Sequence, residues 1–209
     1  MVEIIAIDGP ASVGKSTIAK KMSNYLNAPL LNSGRLYRTV ALKIKNSNLK
    51  INNKKKIIQI AKSLTNNDIN SKNLFTNEID EIASRISKKK YLRNELMSYQ
   101  RAFPEKYAKN KKFAIVEGRD IGTEIFPSAK FKIFMWADAK TRAMRRYQQI
   151  IKNGQKASLS QIYIELINRD KRDLHRKIAP LKPDVNSVLL DTSYLDIEQA
   201  LNAIKNIIK

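Results

Sequence analysis

The chain has 209 residues, of which 43% are apolar, with no cysteine and a formal net charge of +21 from 40 Lys and Arg against 19 Asp and Glu. That length suits one α/β domain with a small inserted lobe, and the apolar share argues against disorder. Disulfides and cysteine metal sites are excluded, which points to a reducing cytoplasm, and no apolar run is long enough to cross a membrane.

The chain opens almost at once on a strand-like run, so no export leader is expected. The positive charge has two sources. Lysines are scattered through Asn-, Ser- and Ile-rich stretches such as Lys43 to Lys62, as a compositional bias would leave them. Arginines cluster near the apparent chemistry. Aromatic residues are not interleaved with the basic runs, so a base-stacking surface is unsupported and no obligate nucleic-acid partner is expected.

Val2 to Ile7 is apolar except for Glu3, the pattern of a strand covered on both faces. The stretch Gly9-Pro10-Ala11-Ser12-Val13-Gly14-Lys15-Ser16-Thr17 follows. Its first eight residues fit G-x-x-x-x-G-K-[ST], the phosphate-cradling loop. Glycines let backbone N–H groups converge on a phosphate, the lysine reaches the terminal phosphates, and the Ser16 hydroxyl can bind Mg²⁺. Ile18, Ala19, Met22, Tyr25 and Leu26 then recur at helical spacing, placing the anion at a helix N-terminus.

Pro29 to Leu31 is a short apolar run, and a helix is predicted from Arg35 to about Lys45. Residues 46–75 are polar, with a helical patch over Lys55 to Leu64. Asn77 to Arg101 reads as helical, interrupted near Lys88 to Lys90. Strand patterns return at Phe113 to Val116, which runs into Glu117-Gly118-Arg119-Asp120, and at Phe131 to Trp136. Helices are predicted over Thr141 to Ile151, stopped at Asn153-Gly154, and over Leu159 to Arg172. A last strand at Val188 to Leu190 precedes a closing helix on Ile197, Ala200, Leu201, Ile204, Ile207 and Ile208. Strands alternating with helices imply a parallel sheet with its chemistry at the strands' carboxyl ends.

Phosphoryl transfer needs two phosphate-bearing partners held in line and cations to spread the transition-state charge. Arg38, Arg119, Arg142, Arg145, Arg146, Arg169, Arg172 and Arg176 supply such cations. His175 reads as solvated surface, Trp136 as core and Asp138 as a helix cap, and no His/Cys cluster supports zinc.

Six blocks together resemble the bacterial cytidylate (CMP) kinases, a family of P-loop nucleoside monophosphate kinases. They are Ile7 to Thr17, Leu31 to Arg38, Gln100 to Phe103, Glu117 to Thr123 with Phe126-Pro127, Arg169 to Asp173, and Arg176 to Leu181. The resemblance implies a P-loop NTPase fold, a three-layer α/β/α sandwich with a parallel central sheet, an inserted nucleotide-binding lobe and a helical lid. The implied division is a core of 1–34, 104–140 and 180–209, a lobe of about 35–103 and a lid of about 141–179. It implies phosphorylation of CMP and dCMP by ATP and Mg²⁺, in a cytoplasmic monomer without membrane association. Gly9 to Thr17 resembles the ATP site, with Ser16 toward the metal. Lys15, Arg119, Arg145 and Arg176 are the implied catalytic cations, with Arg145 or Arg146 of the lid reaching the donor phosphates. Ser33 and Arg38 resemble contacts to the monophosphate, and Ser84, Arg93 and Asp120 resemble the readers of cytosine. Arg119 and Arg176 resemble further phosphate ligands, and Arg169 and Asp173 the pair near the acceptor's sugar and phosphate.

Two departures stand out. Asn32 replaces the usual Asp, and the stretch from Asn46 to Ser84 is short and lacks a hairpin-like segment, which puts a sheet in the lobe in doubt. A kinase for UMP or AMP and a polynucleotide-stimulated ATPase are the alternatives.

Overall fold

The computed structural model describes residues 2–208. Its centre is a sheet of five parallel strands: β1 (Glu3–Asp8), β2 (Leu30–Asn32), β3 (Phe113–Glu117), β4 (Phe131–Trp136) and β5 (Val188–Asp191), in the order β2-β3-β1-β4-β5. Alternate residues of β1 face opposite layers, as the pleat requires. Ile5 and Ile7 pack with Ile18 and Met22 of α1 (Lys15–Leu26) and with Leu201 and Ile204 of α9 (Ile197–Ile208). Ala6 and Val116 face the other way, onto Phe103 and Ile121.

Between β2 and β3 every regular element is a helix: α2 (Ser33–Asn46), α3 (Lys54–Lys62), α4 (Asn66–Ile69), a 3₁₀ turn at Lys72–Leu74, α5 (Asn77–Ile86) and α6 (Lys90–Tyr107). The doubt about a sheet in this lobe is met by a separate apolar core of Leu36, Val40, Ile57, Ile79, Ile86 and Leu92, which needs no strand. Asn32, Asn53 and Thr76 cap α2, α3 and α5 through their side chains, so each helix starts where a short polar residue can accept an orphan N–H. The predicted break at Lys88 to Lys90 separates α5 from α6, and α6 runs on past Arg101 through Pro104, which sits in its last turn.

α7 (Ala139–Lys152) and α8 (Leu159–Leu174) form a hairpin whose small core, Ala143, Ile162 and Leu166, also covers Ala11 of the glycine loop. Asp138 caps α7 by accepting from Thr141 N at 2.9 Å, as expected. His175 is exposed, also as expected. Trp136 is not core: it is 47% exposed, because it ends β4 beside the outer strand β5, where Leu189 is 67% exposed as well.

Candidate active site

The glycine loop joins β1 to α1. Gly9 has φ 147°, and a Cβ there would lie 2.1 Å from the Met135 carbonyl oxygen, so only glycine fits. Ser12 (φ 59°) and Gly14 (φ 100°) also take left-handed backbone, which turns successive N–H groups inward. No side chain caps α1, so its first N–H groups are left for an anion. Lys15 is buried and its Nζ donates to the carbonyls of Gly9 at 2.8 Å and Pro10 at 2.6 Å. Burial, with Arg119 nearby, holds its ammonium well below the usual lysine range, against the pull of Glu117 and Asp8.

This loop lines one end of a cleft of about 1910 Å³ that also runs past Arg38, Ser84, Arg93, Arg119, Asp120, Arg169, Asp173 and Arg176. A single drug-sized ligand occupies roughly 300–1,000 Å³, so the cleft has the volume for two nucleotides.

The segment after β3 supplies the centre of the site. Asp8, at the end of β1, accepts from Ile121 N at 2.9 Å and Gly122 N at 2.7 Å and so ties this segment to the glycine loop. Burial outweighs those two hydrogen bonds and pushes Asp8 up to about 6. Arg119 donates through Nη1 to the Gly9 carbonyl at 3.0 Å and through Nε to Asp173 Oδ2 at 3.1 Å. It thereby clamps the glycine loop to the end of α8. Asp120 is paired on both oxygens, with Arg93 of α6 on Oδ2 and with Arg176 on Oδ1, the latter at 3.2 Å. Arg176 also donates to the carbonyl of Ala179, a residue held at a left-handed φ of 50°. Tyr37 lies under the Arg93 guanidinium, 6.0 Å from CZ to the ring centre, and burial pushes its hydroxyl up to about 12. Ser84 is buried on the same wall. Ser33 lies beside the path of β3, close enough that a Cβ on Gly118 would meet its hydroxyl at 2.5 Å.

Several placements go beyond the sequence. Arg38 donates from Nε to Asp80 at 2.5 Å, and Arg169 donates to the other oxygen of Asp80 at 3.0 Å. Arg142, grouped by sequence with the phosphate arginines, is instead a buried brace on the Ala137 and Ala11 carbonyls and on Asp170. Arg145 lines the same cleft as Lys15 and Arg119 and is held from the loop after β5. It donates to the Thr192 carbonyl at 2.5 Å and to the Leu195 carbonyl at 3.1 Å, after β5. Glu117 was visible only as part of a motif. It is buried, accepts from Asn32 Nδ2 at 2.7 Å, and is pushed up by burial against the opposing charge of Lys15. Asp8 left one sequence signal, a lone acid closing an apolar strand; Asp80 left none.

The family model described as "Cytidylate kinase" matches residues 5–209. The chain belongs to the cytidylate kinase family. A cytidylate kinase from Bartonella tribocorum is 42% identical over 195 residues, covering 93% of this chain and 89% of that protein. One from Thermosipho melanesiensis is 37% identical over 213 aligned positions, covering 98% and 96%. Among solved structures, a shikimate kinase from Bacteroides thetaiotaomicron superposes with a TM-score of 0.52 at 10% identity, covering 100% of this chain and 99% of that one. That likeness is of fold alone. Together with the parallel sheet and the glycine loop it makes the fold of this cytidylate kinase family member that of the P-loop NTPases, as the sequence implied.

Proposed function

We propose that this chain transfers the γ-phosphoryl group of ATP in line to the phosphate of CMP or dCMP. One observation carries the reading. A single cleft holds the glycine loop with Lys15 at one end and the Arg93–Asp120–Arg176 cluster with Ser84 at the other, and Arg38, Arg119 and Arg169 line the same walls. The acceptor phosphate is already nucleophilic, so the protein's task is to align two phosphates and spread charge. Lys15 and the N–H groups of Gly9 to Thr17 hold the donor phosphates. Arg119 touches both the glycine loop and Asp173 and stands where donor and acceptor meet. Arg38, Arg169 and Arg176 serve the acceptor, with Ser33 and Asp173 toward its phosphate and sugar. Arg145 belongs to the donor side of the lid, anchored on the loop after β5.

Cytosine presents an amine donor and acceptors at N3 and O2. Asp120 and the Ser84 hydroxyl accept; Arg93 donates. Uracil reverses the pattern at two positions and would leave buried polar groups unpaired, a strong basis for rejection.

The donor set fits Mg²⁺. The Ser16 hydroxyl and the Glu117 carboxylate are hard oxygen donors, and the Asn32 amide bridges them, at 3.3 Å to Ser16 Oγ and 2.7 Å to Glu117. Among the described residues no cluster of three acidic or histidine side chains makes a closed metal cage, as suits an ion held largely by substrate phosphates. When bound, Mg²⁺ supplies charge neutralisation across the transferred phosphate.

Residues 35–103 act as the acceptor lobe and 141–179 as the lid over a core of 1–34, 104–140 and 180–209, their closure excluding water. The protein acts as a monomer in the cytoplasm on small nucleotides; no helix among the described residues is long and apolar enough to cross a membrane. Initial rates of ADP release with CMP, dCMP, UMP and AMP test the reading. CMP and dCMP should exceed UMP in kcat/KM by about 100-fold or more; equal use of UMP would refute base reading by Asp120 and Arg93.

A further inference from the structure

Asp80 sits in the first turn of α5, within the helical lobe. Its Oδ1 accepts from Arg38 Nε at 2.5 Å, on α2 of the same lobe, and its Oδ2 accepts from Arg169 Nη1 at 3.0 Å, on α8 of the lid. Those partners lie 42 and 89 residues away in sequence. The other acidic anchors of the cleft act through the core: Asp120, after β3, holds Arg93 and Arg176, and Asp173 holds Arg119. Among the described residues Asp80 makes the one ion pair that joins lobe to lid directly.

Two guanidiniums in a partly dry cleft repel each other, and a carboxylate between them offsets that repulsion and fixes their spacing. The bonds also leave donors unspent. Asp80 takes the Nε edge of Arg38, whose Nη1 and Nη2 make no hydrogen bond among the described residues. It takes one Nη of Arg169, whose Nε is buried without a partner. Phe75 lies 5.2 Å below the Arg38 guanidinium carbon and limits its swing on one face. A carboxylate that blocked the arginines would span both Nη groups of a fork; this one meets the Nε edge of Arg38 and a single Nη of Arg169, and closes neither fork.

We propose that Asp80 is a positioning residue that sets Arg38 of the lobe and Arg169 of the lid at one spacing, forming a two-arginine fork for the acceptor phosphate when lid meets lobe. This rests on the reading that Arg38 and Arg169 take that phosphate. The residue would act through the arginines and touch no substrate atom.

Steady-state kinetics of the full chain test it, with Asp80→Asn, Asp80→Glu, Arg38→Ala and the Asp80→Asn/Arg38→Ala double variant, CMP and ATP being varied separately. Losing one charged hydrogen-bond partner should raise KM for CMP about tenfold in Asp80→Asn, with KM for ATP within about twofold. Asp80→Glu should recover part of the loss. In the Arg38→Ala background, Asp80→Asn should cost markedly less than alone, because the two act as a unit. An unchanged or lowered KM for CMP in Asp80→Asn overturns the proposal, the lowered value making Asp80 a competitor for the arginines. Equal losses for CMP and ATP overturn it in favour of general packing. Heat-denaturation midpoints show whether Asp80→Asn is folded; if it is not, Asp80→Glu alone decides by the same KM split. If Arg38→Ala leaves KM for CMP unchanged, the acceptor-site reading falls and takes the role of Asp80 with it. If Arg38→Ala raises that KM and Asp80→Asn does not, only the proposal falls.

Discussion

The two ends of the cleft are built by different means. At the end proposed for the donor the groups offered are mostly backbone, set within a few residues by Gly9, Ser12 and Gly14 and by the uncapped start of α1. At the end proposed for the acceptor they are side chains drawn together from separate elements: Arg93 pairs with Asp120 across 27 residues and Arg176 with Asp120 across 56. A backbone site survives most changes around it and fails when its lysine or glycines go. A site of buried charges is coupled to stability, since each partner left behind is an uncompensated ion.

The largest test of that contrast is Lys15→Ala. It should lower kcat by about three orders of magnitude, because the lost cation acts on the transition state in a site shielded from water. The denaturation midpoint should hardly move, since the change also removes a poorly solvated buried ammonium. Near-native turnover, or collapse of the fold, would break the comparison from the donor side.

Asp120→Ala should do the opposite, harming fold and acceptor binding together. Arg93 is 4% exposed and Arg176 9%, and both would be left buried without their carboxylate. The expected loss is about 3–5 kcal/mol of stability, with KM for CMP raised about 100-fold and KM for ATP little changed. Urea denaturation and separate substrate titrations check this; an unaltered urea midpoint would show that these charges are not coupled to folding.

Arg119→Lys probes the junction. A lysine cannot span the Gly9 carbonyl and Asp173 with one fork, so kcat should fall roughly 30-fold while both KM values stay within a few-fold. Retention of full kcat would mean that charge alone suffices there.

The last test concerns Asp8 and its dependence on pH. Its carboxyl titrates near 6 in the fold, against an ordinary 3.8. The folded protein therefore holds that proton more tightly than the unfolded chain. The resulting stabilisation is complete below 3.8 and is lost as pH rises through about 6. Measured against Asp8→Asn, wild type should lose about 2–3 kcal/mol of relative stability between pH 4 and 7. A gap that stays constant across that range would contradict the buried, raised carboxyl.

Much of this architecture was legible locally. The glycine loop, the strand before it and the helix after it are encoded in contiguous residues whose spacing admits few other structures. The alternation of apolar runs from Phe113 onward likewise announced a parallel sheet. Trp136 misled because hydrophobicity records what a residue prefers, and the end of β4 beside an outer strand offers it little cover. The arginines were visible as a population, yet nothing in their spacing told the buried brace Arg142 from Arg119 in the cleft.

Sequence by itself determined the phosphate loop, the order of elements and the helical character of the inserted lobe, because periodicity and glycine placement act over a few residues. Tertiary structure alone decided which acid meets which arginine. Asp80 reads as an ordinary polar residue of a helix until α8 brings Arg169 to it from 89 positions away, and charge pairing of that kind depends on distance in space.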